Sequence, residues 1–157
     1  MNFCFVLDDL LSASSQPGKN RRVQAYLDLY KENNIKVLVS LYKKIDPPEG
    51  YEDDFTYYHF KLEDGEIPSP QKIDSVVNII LKHLRRKEPV NVNCAAGISH
   101  SALVLIATLM KFEEISYESA FIKVSDQRYA LEEDEYKQAL RQYETFLIRS
   151  RADLLAR

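Results

Sequence analysis

The sequence predicts an α/β fold, with a central and mostly parallel sheet flanked by helices on both faces. Short runs of β-branched and apolar residues alternate with segments whose apolar residues recur at three-to-four spacing. Strands that alternate with helices usually pair in parallel, because each helix carries the chain back across the sheet. The 157 residues are 45% hydrophobic and 29% charged, as in ordinary globular proteins, and we expect one domain over residues 1–157.

The first four predicted elements are a strand, a loop, a helix and a buried strand. Residues 3–7 form an apolar run that predicts a strand, whereas residues 12–20 are rich in Ser, Pro and Gly and indicate a loop. Residues 21–34 carry apolar side chains at helical spacing and end in two asparagines. Residues 35–41 are mainly β-branched and apolar, which predicts a strand buried on both sides.

The middle of the chain predicts a strand and a long helix, each preceded by a loop. Residues 46–54 are acidic and contain Pro and Gly, so we expect a surface loop. Residues 56–60 are rich in aromatic side chains and predict a strand. After a loop at 63–69, Ser69 and Pro70 are typical of an N-cap and a first helical position, and the helix extends to about residue 86.

The last third predicts one strand and three helices. Residues 90–92 are a short apolar strand, and residues 101–112 have the composition of a buried helix. Ser116 is typical of an N-cap for a helix that reaches about residue 125. Residues 133–156 carry apolar side chains at helical spacing and predict the final helix.

Composition and charge exclude several function classes. The net charge of −3 does not favour general nucleic-acid binding, and we expect no membrane association because no apolar run is long enough to span a bilayer. The first residues lack the basic segment of a signal peptide, and two distant cysteines do not form a disulfide framework. The three histidines lack ligand spacing, so we expect no metal and no cofactor. We therefore expect a cytoplasmic protein, and we also expect a monomer.

Residues 90–101 combine a strand end, a small glycine-containing loop and a helix start. Such a turn forms an anion site, because its backbone N–H groups point inward and the helix dipole adds partial positive charge. Cys94 stands at the mouth of this turn, where a thiol is biased toward thiolate. A phosphate-binding loop beside a thiolate predicts phosphate-ester hydrolysis through a covalent thiophosphate.

This segment resembles the signature of cysteine-dependent protein tyrosine and dual-specificity phosphatases, in which His-Cys is followed by five residues, Arg, and Ser or Thr. Cys94, Gly97 and Ser101 fit that pattern, whereas Asn93 replaces its histidine and His100 replaces its arginine. The likeness covers most of the chain and is nearest to the small atypical dual-specificity type.

The resemblance implies a role for each matching residue. Cys94 is the candidate nucleophile, and the hydroxyl of Ser101 hydrogen-bonds its sulfur and helps it leave. Asp64 is the candidate general acid, with Glu63 and Glu66 as adjacent rivals. Backbone amides of the loop would bind phosphate oxygens, and the residues involved are Ala95, Ala96, Gly97, Ile98, Ser99 and His100. The implied partner is a phosphorylated protein or a small phosphate ester.

Three departures from the family pattern leave two hypotheses open. His100 lacks the planar, permanently charged fork that grips two phosphate oxygens, and Asn93 cannot become cationic. Glu135 lies near the place of a glutamine that positions water in the family, and a carboxylate there would repel phosphate. The chain is therefore either a phosphatase of strongly reduced rate or an inactive pseudophosphatase that binds a phosphoprotein or another partner.

Overall fold

A five-stranded sheet forms the centre of the structure, which is a computed structural model describing residues 2–16, 22–42, 50–128 and 133–157. Its strands are β1 (Cys4–Leu7), β2 (Leu11–Ser15), β3 (Val37–Ser40), β4 (Thr56–His59) and β5 (Val90–Cys94), in the spatial order β1-β2-β5-β3-β4. Strands β2, β5, β3 and β4 are mutually parallel, and β1 is antiparallel to β2. The predicted α/β class with a mostly parallel sheet is confirmed.

Six helices accompany the sheet among the described residues. They are α1 (Arg22–Glu32), α2 (Tyr51–Asp54), α3 (Pro70–Leu84), α4 (Ser99–Phe112), α5 (Tyr117–Gln127) and α6 (Asp134–Leu155). Helix α3 begins as the sequence predicts, since Ser69 Oγ accepts a hydrogen bond from the Lys72 amide and proline occupies the first turn. Ser116 caps α5 in the same way. None of the helices in these ranges is long and apolar enough to cross a membrane.

The sheet separates two hydrophobic cores of different size. Helices α3 to α6 pack on one face, where Val90 and Val92 of β5 are fully buried. Helices α1 and α2 cover the other face around Tyr30 and Leu38, which are also fully buried. Each such aliphatic side chain stabilises the fold by about 1.5–3 kcal/mol through its removal from water. The buried middle of the sheet is thus a rigid support for the loops that follow the carboxyl ends of its strands.

One sequence prediction is wrong in part, because residues 12–15 belong to a buried strand rather than a loop. They pair in parallel with β5, which supplies the backbone partners that a serine-rich segment would otherwise find in turns. Ser14 Oγ donates to Asn91 Oδ1 at 3.1 Å, and Asn91 Nδ2 donates to Ser12 Oγ at 3.1 Å. These bonds satisfy hydroxyl groups that are costly to bury unpaired. Residues 17–20 of that predicted loop lie outside the described residues.

A second prediction needs a smaller correction. Within the predicted surface loop at 46–54, residues 51–54 form the short helix α2, and residues 46–49 lie outside the described ranges. Tyr51 is only 2% exposed because it packs edge-on against Tyr30 and Phe55. An aromatic cluster under the sheet therefore holds a segment whose acidic composition suggested a solvated loop.

Candidate active site

The loop from Cys94 to Ser99 joins the carboxyl end of β5 to the amino end of α4. Ligands in parallel sheets bind beyond the carboxyl ends of the strands, and this loop lies at that edge. The residues that follow β3 and β2 hold the last two carbonyls of β5, because the Leu41 amide donates to Asn93 O and the Gln16 amide donates to Cys94 O, both at 2.8 Å. The end of β5 is thereby fixed on both sides.

Cys94 lies at the floor of the site, with 6% of its surface exposed. Its Sγ is 3.3 Å from the Oγ of Ser101, which lies in the first turn of α4. The thiol donates to that hydroxyl when protonated, and the hydroxyl is placed to donate to the sulfur when a thiolate forms. The two side chains that the sequence predicts to work together are therefore in direct contact.

The amino end of α4 has no side-chain cap. Ile98 occupies the N-cap position and makes no side-chain cap hydrogen bond. The first turn of a helix has amides without intrahelical partners, and these attract anions together with the helix dipole. The family resemblance implies that such amides, at Ser99 and His100, would donate to phosphate oxygens.

Asp64 stands at the tip of a tight turn over the loop. The Glu66 amide donates to Glu63 O at 3.0 Å, and Gly65 between them has φ of 75°. A positive φ at the third position of a turn is typical of type II geometry and requires glycine or asparagine. Gly65 therefore lets the chain present Asp64, which is exposed, at the wall of the cavity that contains Cys94.

Glu66 is engaged in holding this turn. Its carboxylate accepts hydrogen bonds from Lys72 Nζ at 2.9 Å and from the Glu63 amide at 3.1 Å. The bond from Lys72 is the main reason that the pKa of the Glu66 carboxyl lies below its usual range. A general acid must carry a proton before the reaction, so this geometry favours Asp64 over Glu66 for that role.

The His100 side chain binds protein atoms. Its Nε2 lies 3.0 Å from the Glu66 carbonyl and 3.1 Å from the Tyr136 hydroxyl, and its ring meets the Tyr136 ring edge to face. A carbonyl can only accept, so the Glu66 contact requires a proton on Nε2. His100 thus joins the start of α4 to α6 and to the turn at residues 63–66 that carries Asp64, which we call the acid turn.

A cavity of about 490 Å³ contains most of the predicted site residues. Cys94, Ala95, Ala96, Ser99, His100 and Asp64 all line it, whereas Gly97 packs against β2 and the Ile98 side chain is 37% exposed. Its described lining contains three carboxylates, from Asp64, Glu133 and Glu135, and no lysine or arginine. The described wall is therefore acidic, which disfavours anions that the loop would attract.

Tyr136 and Arg128 are neighbours of the site that sequence reasoning did not assign to it. Tyr136 is 6% exposed, and burial raises the pKa of its hydroxyl, as do the charges of Glu133, Cys94 and Asp64. Arg128 follows α5, and its Nη2 donates to the Gly97 carbonyl. Tyr136 has the spacing of a core residue in α6, and no local signal in the sequence distinguishes Arg128 from the other arginines.

No three metal-ligating side chains come together among residues 2–16, 22–42, 50–128 and 133–157. The site in this structure consists of a thiol, a hydroxyl, a carboxylate and a set of backbone amides. Those groups together suit the transfer of a phosphoryl group to sulfur and then to water.

Comparisons with known proteins identify the family of the chain. The model of the dual specificity phosphatase catalytic domain matches residues 18–146. A probable dual specificity protein phosphatase H1 homolog of fowlpox virus (strain NVSL) is 39% identical over 62 residues, which cover 39% of this chain and 37% of that relative. The match thus spans well under two thirds of that relative.

Two solved structures share the fold. A mouse putative dual specificity phosphatase, crystallised in complex with zinc tungstate, has a TM-score of 0.78 and 20% identity over 94% of this chain and 89% of its own. The human tyrosine phosphatase-like serine/threonine/tyrosine-interacting protein has a TM-score of 0.75 and 20% identity over 93% and 97%. With the family model matching most of the chain, these findings show that the protein belongs to the dual specificity phosphatase family.

Proposed function

We propose that the protein hydrolyses phosphate monoesters through Cys94, at a rate far below that of an arginine-containing site. The observation that carries this proposal is the contact between Cys94 Sγ and Ser101 Oγ at 3.3 Å, in a cavity that Asp64 also lines. In the first step the Cys94 thiolate attacks phosphorus and forms an S–P bond. The P–O bond to the leaving group breaks, and Asp64 donates its proton to the departing oxygen.

In the second step a water molecule attacks the thiophosphate and transfers a proton to the Asp64 carboxylate. The S–P bond breaks, phosphate departs, and the hydroxyl of Ser101 stabilises the sulfur as a thiolate. Backbone amides of residues 95–101 would hold the phosphoryl oxygens in both steps. The substrate is a phosphorylated protein or a small phosphate ester.

The reduced rate follows from the contacts of His100. Its Nε2 already binds the Glu66 carbonyl and the Tyr136 hydroxyl, so the phosphoryl group receives no forked, permanently charged donor from this position. Loss of an arginine that stabilises phosphoryl charge costs about 10³–10⁵ in rate. The acidic lining would weaken the binding of phosphate further.

The same observations support the alternative, an inactive pseudophosphatase that binds a phosphoprotein or another partner without turnover. The occupied His100 side chain and the position of Glu135 at the cavity wall favour it. The Cys94–Ser101 contact favours hydrolysis, since a binding module does not need a thiol and a hydroxyl within hydrogen-bonding distance of each other. We further propose that the chain works in the cytoplasm, where both free cysteines would stay reduced, and that it works as a monomer.

Turnover of p-nitrophenyl phosphate tests the proposal. We expect slow hydrolysis by the unchanged chain and none by Cys94→Ser, while Cys4→Ser, a change at the other and half-buried cysteine, keeps the rate. We expect His100→Arg to raise kcat/KM by about 10²–10⁴, because it restores a bidentate charged donor to the phosphoryl group. Inactivity of both the unchanged chain and His100→Arg, with tungstate still bound, would favour the pseudophosphatase.

A further inference from the structure

Two consecutive carbonyls of the phosphate loop accept hydrogen bonds from side chains that do not line the cavity. Asn2 Nδ2 donates to the Ala96 carbonyl at 2.8 Å, and Arg128 Nη2 donates to the Gly97 carbonyl. Asn2 comes from the segment before β1, and Arg128 follows α5, so two distant parts of the chain meet at the back of one loop.

The orientation of a carbonyl fixes the orientation of the next amide. The peptide bonds of this loop are trans, so the N–H of Gly97 points opposite to the C=O of Ala96. The N–H of Ile98 likewise points opposite to the C=O of Gly97. Because donors outside the cavity hold these two carbonyls, we expect the amides of Gly97 and Ile98 to be directed toward an anion bound by the loop.

The side-chain amide of Asn2 also binds strand β2, against which the loop packs. Its Oδ1 accepts from the Ser15 amide at 2.6 Å, at the end of β2. A β-carbon on Gly97 would lie 2.5 Å from that same Ser15 nitrogen, so the loop and β2 are in direct contact here. The side chain thus bridges the strand and the loop, with its acceptor on one and its donor on the other.

The residue type suits both ends of this bridge. A carboxylate would satisfy the Ser15 amide but would oppose the Ala96 carbonyl with a second acceptor. The backbone of Asn2 has φ of 38°, a left-handed conformation that asparagine adopts more readily than most side chains. Asparagine therefore satisfies the donor, the acceptor and the backbone requirement together.

We infer that Asn2 is a positioning residue that sets the Gly97 amide toward the bound phosphoryl group through its bond to the Ala96 carbonyl. This inference rests on the proposed function, because it assumes that the loop binds an oxyanion. The side chain of Asn2 does not enter the reaction. It holds one peptide of the loop so that the donor is already aimed before the anion arrives, which lowers the cost of binding.

Two substitutions separate the parts of the bridge. Asn2→Gly removes the side chain and keeps the left-handed backbone accessible. Asn2→Asp keeps the acceptor for the Ser15 amide and removes the donor to Ala96. The matched control is Asn34→Gly, which changes an exposed asparagine with φ of 57° in the turn after α1.

The readout is the affinity for inorganic tungstate, measured by calorimetry, together with the melting temperature. We expect the dissociation constant to rise about tenfold in both Asn2 variants and to stay within about twofold in Asn34→Gly, as expected for loss of one hydrogen bond. In ¹⁵N spectra the tungstate-induced shift of the Gly97 amide should shrink in both Asn2 variants. A purely structural role would lower the melting temperature and leave the affinity unchanged.

Two outcomes would overturn the inference, and they are distinguishable. If the unchanged chain and both Asn2 variants bind tungstate equally, Asn2 does not position the loop, and the proposed function stands. If the unchanged chain binds no tungstate, the phosphate-binding loop itself is wrong, and the inference falls with the proposed function.

Discussion

Gly97 is the residue at which the geometry of the loop is least tolerant. Its φ is 70°, and an added β-carbon would meet the Ser15 nitrogen at 2.5 Å and the Ser14 carbonyl carbon at 2.6 Å. Both are backbone atoms of a buried strand and cannot move aside as a flexible side chain would. The absence of a side chain at Gly97 therefore allows the loop to lie directly against β2.

We expect Gly97→Ala to reduce both stability and anion binding. Overpacking against backbone costs about 1–3 kcal/mol, to which the left-handed conformation adds about 1–2 kcal/mol. The matched control is Gly65→Ala, where φ is 75° and no atom lies within 4 Å of the added carbon. Urea unfolding of both variants measures the difference, and equal losses would show that the contact with β2 is unimportant.

For single residues, the sequence predicted which side chains lie at the site better than it predicted their contacts. Cys94, Ser101 and Asp64 were all expected at the site, and the structure brings them to one cavity or into direct contact. The partner of His100 could not be predicted, because a backbone carbonyl 34 residues away leaves no trace in the residue types. The contact of Asn2 with the loop could not be predicted for the same reason, since the two bonded residues are 94 positions apart in the sequence.

At the scale of elements, the turn that carries Asp64 depends on Glu66. The Glu66 side chain binds Lys72 of α3 and the Glu63 amide, and its carbonyl accepts from His100 of α4. The acid turn is therefore attached to two helices. In the proposed mechanism Asp64 contributes only while its carboxyl stays within reach of the leaving oxygen, so we expect this attachment to affect the rate.

We expect Glu66→Ala to loosen the turn and to impair substrates that need protonation of the leaving group. Turnover of phenyl phosphate should fall about 10-fold or more, part of the 10²–10⁴ that a general acid supplies. Turnover of p-nitrophenyl phosphate should fall less, because its leaving oxygen is less basic. Glu63→Ala, in the same turn, is the control, and equal losses for both substrates would contradict a role in protonation.

The sequence predicted correctly those helices and strands whose local residue pattern alone is sufficient to specify them. The alternation of strands and helices, the N-cap of α3 and the strand β5 followed from local pattern. Strand β2 did not, because its serines resemble a loop until β5 supplies backbone partners and Asn91 supplies a side-chain partner. Helix α2 likewise depends on the burial of Tyr51 in an aromatic cluster formed by distant segments.

For the whole molecule, the two faces of the sheet are stabilised differently. The face under α3 to α6 is mainly aliphatic, whereas the smaller face includes Tyr26, Tyr30, Tyr51 and Phe55. Tyrosine hydroxyls in such a core need partners, and Tyr30 OH lies 2.9 Å from Ser14 Oγ. The hydroxyl of Tyr51 is buried with no hydrogen-bond partner among the described residues, which makes it a weak point of this face.

The buried tyrosines predict the response of the whole protein to alkali. Burial is the main reason that the pKa values of Tyr30, Tyr51 and Tyr143 are raised above 10.0, since a phenolate cannot be hydrated in the core. In the unfolded chain these groups lose their protons near pH 10. Their contribution to the free energy of unfolding is therefore fully present below about pH 10. It decreases as the pH rises from there toward the pKa values of these tyrosines in the folded protein.

We expect the free energy of unfolding to fall by about 1.4 kcal/mol per pH unit above 10 for each such tyrosine. Tyr51→Phe should leave stability at pH 7 unchanged or higher, because it removes an unpartnered hydroxyl, and should make the decline above pH 10 shallower. Tyr42→Phe, at a half-buried position of the cavity wall, is the control. Urea unfolding at pH 7 to 11, with absorbance at 295 nm for phenolate, measures both effects. An unchanged slope in Tyr51→Phe would mean that Tyr51 ionises without unfolding, and that the aromatic face of the sheet opens to water on its own.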